Sequence, residues 1–369
     1  MMGNNYIKGL ETFPYGKRQV IVKIYSNDDT VGLGDATPLT SFTGENQKSI
    51  LAAIEEFFRQ RIINENPFNF PKILDKINLI PWNMAAKTAI EMAIVDLVAK
   101  LLNIPLYNLL GGKSNDKFIQ AVAVGKTGPE PPEKVAKEAL NYVEMGFQRL
   151  KIKIGKKYGL RLEEDLERVE TVANAIRGKA KFWVDCQGAY RPIEAISISK
   201  KIEKFDPLYI EQPVPTHDID GLSIVKRNTN LPIIVDEGVF SPLDALKIIE
   251  KKAADVIGIK FAKCGGIFAA KKIVTLAEIA NLECIMISPG ETNIGLAAYL
   301  HIAASSKNVA LCNFPFKRQE SWLSKIEVDK GMILKVPDKK PGLGIDITNE
   351  IPKIPEWEFE DIPLLNLDQ

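Results

Sequence analysis

Phe182-Trp183-Val184-Asp185, Leu208-Tyr209-Ile210-Glu211 and Ile233-Ile234-Val235-Asp236 decide how this chain is read. Each is a short apolar run closed by an acid, and the three acids stand 26 and 25 residues apart. The next such run ends in a base, Lys260, after a further 24 residues, and the preceding run, Leu150-Lys151-Ile152-Lys153-Ile154, carries two. Short, nearly continuous apolar runs are the mark of parallel strands buried on both faces, and the intervening lengths of about 20 residues suit crossover helices.

Working outward, the same rhythm covers 120–124, 149–154, 182–185, 208–211, 232–236, 256–260, 283–287 and 308–312. Eight strand-like runs alternating with amphipathic stretches predict a (β/α)8 TIM barrel over 118–316, at roughly 200 residues a short one for that fold. The helix that should follow the eighth run is not evident. Residues 1–117 have a different character. Gln19 to Tyr25 alternates like an antiparallel strand, Lys48–Arg61 and Ala85–Leu102 have helical spacing, and Asn103 with Pro105 stops the second helix. Residues 317–369 contain a strand-and-turn pattern at 326–336 and are too short for a domain of their own. The fold class expected is therefore α/β: a modified barrel with an α+β capping domain formed by the N- and C-terminal segments. Residues 352–369, rich in proline and acids, read as a loosely held tail.

The 369 residues are 46% hydrophobic, with 48 basic against 47 acidic side chains and a formal charge of +1. That balance argues against a nucleic-acid or anionic-membrane partner. No apolar segment approaches the ~18 residues of a membrane span, and Met-Met-Gly-Asn-Asn lacks the features of a signal peptide, so a cytoplasmic location is expected. Cys186, Cys264, Cys284 and Cys312 lack zinc or redox spacing and read as buried, reduced thiols. A homo-oligomer is expected.

In a parallel barrel all strand C-termini lie on one face, so a polar residue closing an apolar strand points into a common mouth. A lone acid after a strand commonly caps the next helix. Three in register on adjacent strands can instead converge on one ion, and all-oxygen ligation by Asp185, Glu211 and Asp236 favours Mg²⁺, with Mn²⁺ as a substitute. Glu237 competes with Asp236 for the ligand position, but alternation along the strand sends the two to different sides and leaves Asp236 as the ligand. Lys-x-Lys on a strand is ordinarily a solvated face. Here Leu150, Ile152 and Ile154 turn toward the helices, which places Lys151 and Lys153 in the mouth with Lys260 across from them. Lysine is a poor base at its ordinary pKa of about 10.4; the like charge of Lys151 and a nearby cation would lower that of Lys153, a shift of roughly 3 units needing about 4 kcal/mol. The chemistry implied is removal of a proton next to the carboxylate of a small molecule, through an enolate.

As a set, Leu-Lys-Ile-Lys at 150–153, Trp-Val-Asp at 183–185, Ile-Glu-Gln-Pro at 210–213, Val-Asp-Glu at 235–237, Ile-Lys-Phe-Ala-Lys-Cys-Gly-Gly-Ile at 259–267 and Glu-Thr-Asn-Ile-Gly at 291–295 resemble the enolase superfamily, in its muconate-lactonizing-enzyme subgroup. Ala89-Ile90-Glu91-Met92-Ala93 with Asp96, and Leu109-Leu110-Gly111-Gly112, resemble that subgroup's lead into the barrel. The resemblance implies Mg²⁺ on the three acids, Lys153 and Lys260 as acid/base groups on opposite substrate faces, and a barrel without a regular last helix. The His-Asp base of the mandelate racemase type is not matched, because neither His217 nor His301 ends the required strand. Thr43-Gly44-Glu45 is similar to dipeptide epimerases; Thr43, Asn313 and Glu291 after strand seven are candidate substrate contacts, Glu291 reading equally as a helix N-terminal acid. The dipeptide epimerases' strand-eight Asp-x-Asp is replaced by Leu311-Cys312-Asn313, and Gln187 stands where Asn is common. Lys263 reads as a loop cation.

The leading expectation is a Mg²⁺-dependent racemase or epimerase of an amino-acid derivative or dipeptide. Muconate-type cycloisomerisation and o-succinylbenzoate-type dehydration use the same groups. A Schiff-base aldolase and a non-catalytic barrel are the rivals from other classes.

Overall fold

The computed structural model describes residues 5–125, 129–155, 161–315 and 320–352. All but the first residue of the expected tail, and the expected barrel boundary at 316/317, lie outside them. The chain opens with an antiparallel sheet of β1 (Ile7–Tyr15), β2 (Gln19–Ser26) and β3 (Val31–Ala36). Short helices α1 (Thr40–Thr43), α2 (Gln47–Ala52), α3 (Arg59–Ile62) and α4 (Phe70–Asn78) follow, with a π-helical segment, Ala53–Phe58, joining α2 to α3. Then come the long α5 (Met84–Leu101) and α6 (Leu106–Leu109). Ala85 through Ala99 of α5 are buried without interruption, because the helix lies between the cap sheet and the barrel. Gly32 and Gly34 permit this. A Cβ on either would overlap the carbonyl oxygen of Ala93 or Ala89. The helix ends before Asn103, which adopts φ +55°, as its Asn and Pro signals predicted.

The eight-stranded parallel barrel is present. Its strands are β4 (Lys117–Val124), β5 (Arg149–Lys153), β6 (Lys181–Asp185), β7 (Ile210–Glu211), β8 (Ile233–Val235), β9 (Val256–Ile259), β10 (Glu283–Ile287) and β11 (Val309–Asn313), closed by Leu311↔Ile119 and Asn313↔Ala121 pairing. Between them run α7 (Pro132–Glu144), α8 (Leu162–Ile176), α9 (Pro192–Ile202), α10 (Ile219–Arg227), α11 (Pro242–Glu250), α12 (Phe261–Cys264), α13 (Ile267–Ile279) and α14 (Asn293–Ala304). β7 and β8 are shorter than their apolar runs because Pro207, Pro213 and Pro232 flank them and cannot donate to the ladder. Trp183, Ile234, Val256, Ile285 and Ile287 fill the barrel interior below the mouth.

No helix follows β11 among the described residues. Instead the hairpin β12 (Val328–Asp329) and β13 (Ile333–Lys335) adds antiparallel to β4. Beyond it, Leu343 N–H donates to Asp96 Oδ1 at 2.7 Å and Gly342 exchanges backbone bonds with Ile104 and Leu106, so residues 342 and 343 are tied to α5 and the turn after it. No described helix is long and apolar enough to cross a membrane.

Candidate active site

Alternation in β5 turns Lys151 and Lys153 inward, while Leu150 and Ile152 pack on the helices. Lys153 pairs with Asp185 at the end of β6. Lys151 bridges Asp185 Oδ2 at 3.1 Å and Glu211 Oε1 at 2.8 Å. Asp236, just past β8, is held by Lys260 and by Lys263, whose Nζ reaches Asp236 Oδ1 at 2.8 Å. All three acids are fully buried. β5 and β9 are four strands apart in a ring of eight, so Lys153 and Lys260 stand on opposite sides of the mouth. The structure thus brings together the three expected ligands and the three expected lysines.

The electrostatics follow from this pairing. Burial would raise the Asp185 carboxyl, but Lys151 and Lys153 outweigh it and hold it below the usual carboxylate range. Lys260 and Lys263 do the same for Asp236. Glu211 is pushed up to about 8, first by burial and then by Asp185, against the opposing pull of Lys151. Burial would lower Lys151 and Lys260; the facing carboxylates prevail and raise both.

The cap reaches the mouth through the α1 loop. The Phe42 ring lies 5.8 Å from Lys260 Nζ, and Thr43 beside it donates to Leu39 O at 3.2 Å. Glu45 accepts the Ala85 N–H at 3.0 Å and so starts α5. Asn313 ends β11 facing inward, in line with Leu311, which packs among the interior residues. Glu291 is buried; its carboxylate accepts from the Ser288 hydroxyl and, at 3.1 Å, from the Tyr299 hydroxyl. Burial pushes it up to about 7. His217 is exposed, whereas His301 is buried in α14, far from the strand that a histidine base would close. The four cysteines are free and buried, and burial holds the Cys186 thiol well above its ordinary value.

Two family models together match most of the chain. Residues 134–351 match the enolase C-terminal domain-like model, and residues 14–111 match the N-terminal domain of mandelate racemase and muconate lactonizing enzyme. The chain belongs to the mandelate racemase and muconate lactonizing enzyme family. Within the family it is 34% identical to the L-Ala-D/L-Glu epimerase of Bacillus subtilis, over 90% of both chains. A substrate-liganded structure of that epimerase superimposes with a TM-score of 0.85, covering 92% of this chain and 98% of the other. The N-succinyl-L-Arg/Lys racemase of Bacillus cereus is 31% identical over 90% of this chain and 88% of its own length. A dipeptide epimerase from Enterococcus faecalis, solved with Mg and L-Leu-L-Tyr, is 32% identical with a TM-score of 0.81, covering 93% of this chain and 97% of the other. These family relatives are isomerases, as the resemblance of the sequence motifs implied.

A divalent cation suits this family member's donor set, which is oxygen-only and hard. Both carboxyl oxygens of Glu237 are buried without a hydrogen bond, with Lys260 Nζ 3.6 Å from Oε1, orphaned acceptors of the kind that a nearby cation would offset. Among the described residues no group of three or more His, Cys, Asp or Glu side chains is arranged to hold a metal as it stands. Lysine ammonium groups lie against the acids, so a cation would compete with Lys153 and Lys260 for Asp185 and Asp236.

Three contributors escaped the sequence reading. Lys263 is a buried partner of Asp236, contrary to the loop cation expected, because the turn of α12 folds it back under β8. Gln212, in the quoted Ile-Glu-Gln-Pro, accepts the N–H groups of Asp236 and Gly238 at 3.0 and 3.1 Å. Trp183 donates its indole N–H to Glu211 Oε2 at 2.7 Å. Gln212 and Trp183 sat inside quoted motifs, and Lys263 lay in one; nothing in local spacing reveals what they touch.

Proposed function

We propose that this enzyme is a Mg²⁺-dependent racemase or epimerase that removes the α-proton of an amino-acid derivative through an enolate. The observation that carries the reading is the placement of Lys153 and Lys260 on opposite sides of a buried carboxylate trio. Asp185, Glu211 and Asp236 would hold the ion, which when bound would supply positive charge beside the substrate carboxylate. One lysine would take the α-proton from one face of the substrate and the other would return a proton to the opposite face. Both amines are ion-paired, so substrate and ion must draw them from Asp185 and Asp236 before either can serve as base. Lys151, fixed between two acids, would act as a standing cation. Residues 1–117, with the chain after 316, would form the lid, and Phe42 and Thr43 would close over the substrate.

Leu311 and Asn313 bear on which derivative is used. An amide and an alkyl group offer no counter-charge to a substrate ammonium, which favours a substrate whose amino side is acylated. Glu291, committed to Ser288 and Tyr299, would then support the site from behind.

The test is α-proton exchange in D₂O on both enantiomers of N-succinyl-lysine and on L-Ala-L-Glu and L-Ala-D-Glu, read by mass spectrometry. Lys153→Ala and Lys260→Ala should each lose exchange from one configuration and keep it from the other. Loss from both in each variant would point to a one-base lyase, and no exchange by the wild type on any of the four would sink the proposal.

A further inference from the structure

Lys260 is the last extended residue before α12, with φ −127° and ψ 125°, so its side chain is aimed by the peptide that follows. The backbone of Phe261 is held on both sides, through the amide that joins it to Lys260 and through the one that follows. The Phe261 N–H donates to the Tyr299 hydroxyl at 2.8 Å. The Phe261 carbonyl accepts at 3.0 Å from Thr88 Oγ1, which shares its proton with Met84 O at 2.8 Å in its own helix. Tyr299 belongs to α14 of the barrel and Thr88 to α5 of the cap.

Tyr299 is itself held firmly. Its ring stacks on that of Phe261 with centroids 3.8 Å apart and planes 12° from parallel. Its hydroxyl, having accepted from Phe261, donates to Glu291 Oε1, and the Ser288 hydroxyl donates to the other oxygen of that carboxyl. Burial and Glu291 keep the phenol well above its ordinary pKa, so it remains a donor. The residue is fully buried in α14, beside Ala298, Leu300, His301 and Ile302, which are fully buried as well. Packing alone does not call for a hydroxyl there.

We infer that Tyr299 is a positioning residue for Lys260: with Thr88 it clamps the Phe261 backbone from either side, so that the aim of one amine depends on the seating of the cap against the barrel. The inference rests on the proposed acid/base role of Lys260. Neither residue touches the mouth; both act through Phe261.

The test uses Tyr299→Phe, which keeps the ring stack, and Thr88→Val, which keeps the volume, each in the full chain. α-Proton exchange in D₂O is followed separately from the two configurations of whichever probe above the wild type exchanges. Exchange on the face served by Lys260 should fall roughly tenfold or more while the other face stays within about twofold. A merely structural loss would lower both faces together, and that result, or no change, overturns the inference. Trace labelling by acetic anhydride, quantified per lysine by mass spectrometry, is the second readout. Lys260 should label faster in Tyr299→Phe, relative to Lys153, and unchanged labelling counts against the inference. A wild type that exchanges no probe defeats the proposed function but leaves labelling to judge the clamp.

Discussion

Gln212 holds Asp236 by its backbone: one carboxamide oxygen accepts the Asp236 N–H at 3.0 Å and the Gly238 N–H at 3.1 Å, while the amide nitrogen donates to Val214 O at 3.0 Å. The side chain thus ties the ends of β7 and β8 together at the point where the strands stop pairing. Gln212→Leu strips the acceptor from two buried N–H groups, for an expected loss of roughly 2 to 4 kcal/mol. The Mg²⁺ concentration for half-maximal exchange should rise by about 10- to 100-fold, since Asp236 loses its support. A titration of activity with Mg²⁺ checks this, and an unshifted midpoint would count against a ligand role for Asp236.

Ion binding should appear as stability. At a Mg²⁺ concentration about 100 times its Kd, binding to the folded state adds about 2.7 kcal/mol. Thermal unfolding with Mg²⁺ and with EDTA measures the difference. Asp185→Asn and Asp236→Asn should abolish the Mg²⁺ response, and a response kept by both would remove them as ligands.

The cap sheet is seated on α5 through backbone contact that tolerates no side chain. A Cβ at residue 34 would overlap the Ala89 carbonyl oxygen, part of the rigid interior of α5. Gly34→Ala should therefore cost about 3 kcal/mol or more through overpacking. Urea unfolding reads the cost; a variant as stable as the parent would mean that β3 and α5 separate easily.

His301 sets a pH dependence of stability. Burial holds it down to about 4, and its neutral form fits the surroundings: Nδ1 accepts the Tyr107 N–H at 3.3 Å, which leaves Nε2 to donate to Leu343 O at 3.2 Å. With the folded pKa below the unfolded value of about 6.5, the unfolded chain binds more protons between those limits, so this contribution is complete above pH 6.5 and declines toward pH 4. At pH 4.5 the loss is roughly 2 to 3 kcal/mol. Comparing wild type with His301→Gln by urea unfolding at pH 7 and 4.5 isolates this term from the carboxyls Glu91 and Glu291, which burial raises to about 7 and which act in the opposite direction. Equal pH dependence in the two proteins would contradict it.

Much of the site was legible because a barrel strand states its role twice, by apolar alternation and by the residue that closes it. Asp185, Glu211, Lys151, Lys153 and Lys260 all lie where β5, β6, β7 and β9 end, as their runs indicated. The β12–β13 hairpin on β4 was harder to read, since two- and three-residue strands carry too little pattern to reveal their partner. Lys263 was read as a loop cation and stands in the short helix α12, where its amine reaches Asp236; what a lysine in a short turn touches depends on where the turn folds.

From the amino acids alone came the parallel barrel, the acids and bases at its mouth and the separate character of the first hundred residues, because side-chain periodicity and strand termini are local properties. Tertiary structure alone decided which charges pair, that Gln212 and Trp183 brace the acids, and that Tyr299 and Thr88 meet at Phe261. Those contacts join segments far apart in the chain, and their strength depends on distance and burial, which no local pattern encodes.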